Sequence, residues 1–308
     1  MINCKTNLPI ISAEGFKDKV CPICSSANFQ VSHKYISENA VFFDKYVYTC
    51  YDCSFSWGSG IEQEKLDRFY EECFDKEVYK RSELYLSPEK YFSEPDKQNK
   101  SMRSRQHLEW VKKYCPKKSH INVLDIGAGL GTTLYYATQY FDKPILYAYE
   151  NDTNGIKYLE YLGAKVISGD LIKSLKSTKK NKFDLIVCSH FLEHVSPHSV
   201  KEFVAVLREL LHDDGILIVE VPHDDLVKFP ERKTEAPPHV MFFSINSLQV
   251  LFDNYKLHLL LPIRKELNAR YGFLKKIISP LFIKIFSFRN VHPVRRGRCL
   301  LMIAGKKL

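Results

Sequence analysis

The chain has 308 residues, 45% of them apolar, and a net charge of +9. That length accommodates one large domain and a smaller one, and the composition supplies a sizeable core. The basic balance points to an anionic partner such as a phosphate-bearing small molecule, nucleic acid or a membrane surface. No N-terminal apolar signal segment is present. No window of about 18 uncharged apolar residues occurs either, which excludes a spanning helix. A cytoplasmic location is expected, with peripheral contact at the inner membrane face as a variant.

Residues 1–60 hold the clearest local signal. Of nine cysteines, four stand as Cys21-x-x-Cys24 and Cys50-x-x-Cys53. Each pair puts two thiolates on one tight turn, and two such turns complete a tetrahedral four-sulfur shell for Zn²⁺. The shell leaves no position for water, so the expected zinc is structural and stabilises a ribbon too small to fold on its own core. A redox pair is the competing reading. Phe42, Phe43, Tyr46, Tyr48, Phe55 and Trp57 are expected to form the small core and pack against the next domain. The alternative is a platform for stacking nucleic-acid bases.

Residues 61–118 are expected to form a helical linker or lid. Leu66, Phe69, Tyr70 and Cys73 share one helical face. Ser87-Pro88 and Glu94-Pro95 interrupt the pattern, and a helix carrying Leu108 and Val111 ends before Pro116. Tyr70, Tyr79, Tyr85, Tyr91 and Phe92 are lid candidates.

From 119 onward, strands and helices alternate, which predicts an α/β domain built on a parallel sheet. The run Asn122–Ile126 is a buried strand, stopped by Gly127, Ala128, Gly129 and Gly131 before a helix from Thr132 to Tyr140. Glycine allows a sharp turn and a close approach to a ligand, and the helix N-terminus offers free N–H groups. The second strand, Ile145–Tyr149, ends in Glu150-Asn151, with Glu150 placed to accept from a ribose diol. A helix Gly155–Leu162 and a strand Lys165–Ser168 lead to Asp170-Leu171, where a carboxylate can accept from an adenine amino group. Strand Phe183–Cys188 follows, then Ser189-His190-Phe191-Leu192-Glu193-His194. A helix Val200–Leu211, a turn at Asp213-Asp214-Gly215 and a strand Ile216–Val221 complete the series. Leu257–Pro262 and Cys299–Ala304 are the last two expected strands.

The segment VLDIGAGLG (residues 123–131), with the acids and strands after it, resembles class I S-adenosylmethionine (SAM) methyltransferases over about 150 residues. The resemblance implies a seven-stranded Rossmann-like sheet, mostly parallel with a reversed last strand, in a domain spanning 119–308. It implies SAM as cofactor, held by Asp125, Gly127, Ala128, Gly129, Gly131, Glu150, Asn151, Asp170, Leu171 and Ser189. The matching Asp of the family meets the adenine amino group, and the next backbone N–H, here that of Leu171, meets a ring nitrogen.

The acceptor is less directly written. Ser189-His190-Phe191-Leu192 replaces the Asn/Asp-Pro-Pro-aromatic motif of enzymes that methylate exocyclic amines of bases. Cys188 lacks the Pro-Cys context of cysteine-dependent pyrimidine methylation and is expected to be a packing residue. His190, His194, His223 and His239 are the candidate catalytic residues, since imidazole is a suitable base for a hydroxyl or an acidic C–H. The zinc-plus-methyltransferase layout resembles sugar C-methyltransferases, in which histidines matching His194 and His239 act in or near the site. Pro238 stands where their Glu would be, and their further C-terminal domain is missing. Methyltransferases of surface-polysaccharide pathways are also similar. Methyl transfer to a hydroxyl or carbon of a nucleotide- or lipid-linked sugar is therefore expected. An rRNA or tRNA methyltransferase and a non-catalytic SAM-binding scaffold are the alternatives.

Residues 264–298 read as a basic insertion. Leu274, Ile277, Ile278, Leu281 and Ile285 share a helical face. Residues 273–288 suit a peripheral membrane contact, a cleft cover or a dimer seam. Arg289, Arg295, Arg296 and Arg298 suit a substrate phosphate. The oligomeric state is not legible.

Overall fold

The structure is a computed structural model that describes residues 19–35, 41–72, 87–94, 101–114, 120–223, 239–260, 264–266 and 299–306. Its main sheet runs, in spatial order, through His258–Leu259, Cys299–Gly305, Leu211–Pro222, Phe183–Ser189, Asn122–Ile126, Ile145–Tyr149 and Lys165–Ile167. These strands are β4 (Asn122–Ile126), β5 (Ile145–Tyr149), β6 (Lys165–Ile167), β7 (Phe183–Ser189), β8 (Leu211–Pro222), β10 (His258–Leu259) and β12 (Cys299–Gly305). β4 pairs in parallel with both β5 and β7, and β7 in parallel with β8. β12 is antiparallel to β8 and to β10, which makes it the reversed strand. The chain leaves β4 toward β5 and β6, then returns to β7 on the other side. A crevice therefore opens where the strand order switches, at the carboxyl ends of β4 and β7.

Alternation along the buried strands feeds two cores. Val123, Leu185, Val187, Ile216 and Ile218 point to one face and meet Leu108, Val111, Leu134 and Ala137. These four come from the helices α3 (Ser101–Tyr114) and α4 (Thr132–Tyr140). Leu124, Ile126, Ile186, Cys188, Leu217 and Val219 point to the other face. There they meet Phe203, Leu207 and Leu210 of α7 (Val200–Leu210) and Leu248, Leu251 and Phe252 of α8 (Ile245–Asp253). Covering both faces explains why β4 and β7 are continuously apolar.

The same second core extends through the N-terminal module. β1 (Phe29–Lys34), β2 (Tyr46–Cys50) and β3 (Ser56–Gly58) form an antiparallel sheet. Its fourth strand, β9 (Met241–Phe242), comes from the far end of the chain and pairs Trp57 with Met241. Phe42, Tyr48, Phe55 and Trp57 are buried, and Phe55 packs against Phe243 at 5.3 Å between centroids. Of the six aromatics weighed as a stacking platform, Phe43 is the one that is largely exposed, at 65%.

Several expectations need correction. A short extra strand, β11 (Arg264–Glu266), pairs with β12 at the start of the expected insertion. The turn expected at Asp213-Asp214-Gly215 lies inside β8, where the register against β7 shifts between Phe183 and Leu185. The Leu257–Pro262 strand is reduced to His258–Leu259. Ser87-Pro88 starts an element rather than breaking one: Ser87 caps α2 (Pro88–Ser93) by accepting from Lys90 N–H, with Pro at N1 as helix starts favour. The helix α5 (Thr153–Tyr161) begins two residues earlier than expected, because Asp152 caps it by accepting from Asn154 N–H. Tyr79, Tyr85 and the apolar and arginine positions of 267–298 lie outside the described residues. Among the described residues, no helix is long and apolar enough to cross a membrane.

Candidate active site

The glycine turn after β4 is held by its neighbours. Gly127, Gly129 and Gly131 have φ of +70°, +56° and +75°, which side chains rarely adopt. A Cβ on Gly127 would also lie 2.5 Å from Phe191 Cδ2. Gly127 N–H donates to Tyr149 O at 2.9 Å, and Gly129 N–H donates to Glu150 Oε2 at 2.6 Å. Glu150 Oε1 accepts from Asn151 and Asp152 N–H at 2.9 and 3.0 Å. Glu150 thus straps the turn to the end of β5 before any ligand arrives, and its Oε2, which accepts once, keeps a second lone pair for a diol. Behind the turn, α5 comes so close that a Cβ on Gly155 would sit 2.8 Å from Gly129 O.

Asn151 braces the next loop, accepting from Gly169 N–H at 2.8 Å and donating to Gly169 O at 3.2 Å. Asp170, exposed at the end of that loop, caps the helix α6 (Leu171–Ser177) by accepting from Lys173 N–H at 2.7 Å. Leu171 is the first helical residue. Its side chain is buried and its N–H belongs to the uncompensated first turn. Asp125 is 5% exposed within β4. On the open side, Tyr91 of α2 is hydrogen-bonded through its hydroxyl to Thr132 Oγ1 at 2.9 Å. Phe92 stacks on Tyr135 at 5.0 Å. Two of the expected lid aromatics thus cover the start of α4.

The carboxyl ends of β7 and β8 carry a buried charge network that the sequence reading missed. Glu220 is 2% exposed. It receives Arg103 Nε at 3.1 Å, His107 Nε2 at 2.9 Å and Ser189 Oγ at 3.2 Å. Burial opposes its charge, but these partners and His190 hold its carboxyl well below the usual range. The sequence signal was an acid inside the apolar run ILIVEVP. Ser189 is therefore engaged by Glu220.

His190 sits at φ +54°. Its Nδ1 is 3.4 Å from Glu193, and its Nε2 is 3.6 Å from both Glu220 and Cys299 Sγ. Burial would lower its pKa, but the Cys299 thiol and the two carboxylates outweigh that and raise it to about 11. The two carboxylates beside the ring favour its charged form. His223, 3% exposed, bridges to Phe243 in the backbone at the edge of the small sheet. Cys188 is fully buried, and burial pushes its thiol up, consistent with packing.

His194 and His239 do come together. Their rings meet edge to face with centroids 5.2 Å apart. His194 lies on the single turn Leu192–His194 after β7. His239 is fixed by Tyr35, whose hydroxyl donates to His239 O at 2.7 Å, and by Val240 N–H, which donates to Glu193 O at 3.0 Å. Burial, together with the His239 and His190 rings and against the pull of Glu193, lowers the His194 pKa to about 4, so the ring is neutral near pH 7. Glu193, whose Oε1 lies 4.0 Å from His194 Nε2, is 1% exposed.

In the N-terminal module the four cysteine sulfurs lie within 4.8 Å of one another. Cys21 and Cys53 are 3.7 Å apart, and Cys24 and Cys50 3.6 Å. A tetrahedron with Zn–S bonds of about 2.3 Å has edges of about 3.8 Å, which these two separations match, so the donor set is of a kind that could hold Zn²⁺. Ser25 and Ser54, the residues after each pair, take positive φ, closing the two turns. Ser244 Oγ of α8's N-cap donates to Cys53 O at 3.1 Å, and Asn254 Nδ2 to Ile23 O at 3.5 Å.

Comparison with known proteins follows from this geometry. A family model described as a methyltransferase domain matches residues 98–260. No curated protein matches the sequence. Among solved structures, the plantazolicin methyltransferase, crystallised with a triazolic desmethylPZN analogue and SAH, is 13% identical with a TM-score of 0.50. That match covers 80% of this chain and 100% of the other. A SAM-dependent methyltransferase from Archaeoglobus fulgidus is 18% identical with a TM-score of 0.45, covering 70% of this chain and 98% of that one. Such identities speak to the fold alone.

Proposed function

Because this chain belongs to the methyltransferase-domain family and is a class I methyltransferase, we propose that it moves the methyl group of SAM to a hydroxyl or carbon of a small polar acceptor. A nucleotide- or lipid-linked sugar is the acceptor class. The observation that carries the cofactor half is the glycine turn strapped to Glu150 at the switch point of the sheet. SAM, when bound, supplies an electrophilic methyl on a sulfonium. Glu150 would take the ribose diol, Asp170 and the Leu171 N–H the adenine, and the 127–131 turn the close backbone approach. The chain's main contribution is alignment, with α2 helping to keep water from the cofactor side.

The acceptor side is the His194–His239 pair beside the end of β7. His239 comes from a segment tied to Tyr35 of the N-terminal module, and His194 packs on it edge to face. Burial of Tyr48, Phe55 and Trp57 supports a bracing role for that module, with Zn²⁺ on Cys21, Cys24, Cys50 and Cys53, over an RNA platform. Labelled SAM offered with a panel of nucleotide sugars should give labelled sugar. Transfer only to RNA, with binding that falls steeply as salt rises, would refute the sugar reading. In calorimetry, Glu150→Gln should weaken SAM binding at least tenfold, and unchanged affinity would remove Glu150 from the cofactor site.

A further inference from the structure

Among the described residues, Glu193 is a buried carboxylate with little compensation. Its side chain is 1% exposed, and neither carboxylate oxygen has a hydrogen-bond partner. Its near neighbour, the His190 ring at 3.4 Å, is shared with Glu220. Glu220 in addition holds Arg103 and His107, so it is satisfied where Glu193 is not. An ionised carboxylate buried without hydrogen bonds is costly and calls for a further cation or donor.

One Glu193 oxygen and one ring nitrogen each of His194 and His239 lie within 4.8 Å of one another, with His194 Nε2 4.0 Å from Glu193 Oε1. Two imidazoles and a carboxylate are the ligand types favoured by divalent zinc, iron, manganese and cobalt. Metal–N and metal–O bonds of about 2.1 Å put neighbouring ligand atoms about 3 to 3.5 Å apart, so the three groups need shift by little more than an ångström. The side chain of His194 keeps 15% of its surface exposed, so the cluster is not sealed from solvent. In the second donor cluster, His190, Glu220 and Cys299, the carboxylate is already engaged by Arg103 and His107.

We infer that Glu193, His194 and His239 form a binding site for a first-row divalent cation whose open position takes the oxygen of the acceptor. The inference rests on the acceptor-side reading above, and it replaces direct proton uptake by the imidazoles with ionisation of a cation-bound hydroxyl. Coordination acidifies the hydroxyl. Its O–H bond breaks, the proton passes to solvent water, the oxygen lone pair forms the O–CH₃ bond, and the C–S bond of the sulfonium breaks to leave the neutral thioether.

The test uses Co²⁺ alone on the zinc-loaded full chain, followed by visible absorption and by metal content after dialysis. One Co²⁺ per chain should bind beside the knuckle zinc, with the weak visible bands of a nitrogen–oxygen site and without thiolate charge-transfer absorption. His239→Ala should raise the Co²⁺ dissociation constant at least tenfold while the zinc content stays at one. Glu193→Gln should do the same, and His239→Ala, at a half-exposed position, stands in if that variant fails to fold. Absence of the added equivalent, or binding unchanged in His239→Ala, overturns the inference. SAM affinity measured on the same samples separates this from failure of the methyltransferase reading, since SAM binding without Co²⁺ binding refutes only the cation.

Discussion

At Gly127 two constraints coincide, a φ of +70° and a Phe191 ring 2.5 Å from where a Cβ would stand. Gly127→Ala is expected to cost about 1–3 kcal/mol in urea unfolding and to weaken SAM binding at least tenfold by calorimetry. His190 makes a pH prediction. Its folded pKa, about 11, lies above the unfolded value near 6.5, so its contribution to stability is complete below about pH 6.5 and disappears as pH rises toward 11. Asparagine tolerates the positive φ, so His190→Asn should lower the melting temperature at pH 6 and by progressively less toward pH 10. A loss that does not shrink with pH would mean that the ring acts by packing. His194 is shifted the other way, to about 4. The acid limb of kcat/KM should therefore fall near pH 4 to 5, and a limb at 6.5 would show the ring in a wetter, more ordinary setting. At this scale the sequence singled out the glycine turn that the structure places at the switch point and two histidines, His194 and His239, that it brings together, because glycine and imidazole advertise their chemistry by type. It could not separate His194 from His190, or see Glu193 and Glu220. Proximity of buried charges depends on strands that are distant in the chain, and an acid reads as a solvated surface residue until its neighbours are known.

Elements that recur with a clear period were legible, and those defined by a partner's edge were not. α7 keeps Phe203, Val204, Leu207 and Leu210 fully buried, as their spacing along one face implies. β9 has two residues and β11 three, too few for a pattern, and each exists because a neighbouring strand offers an unpaired edge. The contact between α5 and the glycine turn gives an element-scale test. In a helix interior, Gly→Ala ordinarily stabilises by up to about 1 kcal/mol. Gly155→Ala should reverse that sign, because the new methyl would press on Gly129 O, 2.8 Å away, and displace the N–H that Glu150 holds. Reduced SAM affinity together with a lowered melting temperature is the expected outcome. A stabilised variant with intact binding would show that α5 slides without disturbing the turn.

For the whole molecule, one hydrophobic core runs from Cys21, Phe55 and Trp57 through Phe203 and Phe252 to Met302. Removing metal from the cysteine cluster is therefore expected to lower the melting temperature of the entire chain in a single calorimetric transition. Two separated transitions would show the knuckle melting alone. The β3–β9 pairing gives this union an order in time. Trp57 leaves the ribosome some 180 residues ahead of Met241, its partner, an interval on the order of ten to forty seconds at ordinary translation speeds. Through that interval the nascent module waits with an open strand edge, and the segment that arrives to close it is the one that delivers His239. A chain stalled or clipped before that point has made its glycine turn yet lacks His239 and the later strand β12, so on the proposed reading methyl-transfer competence comes late in synthesis.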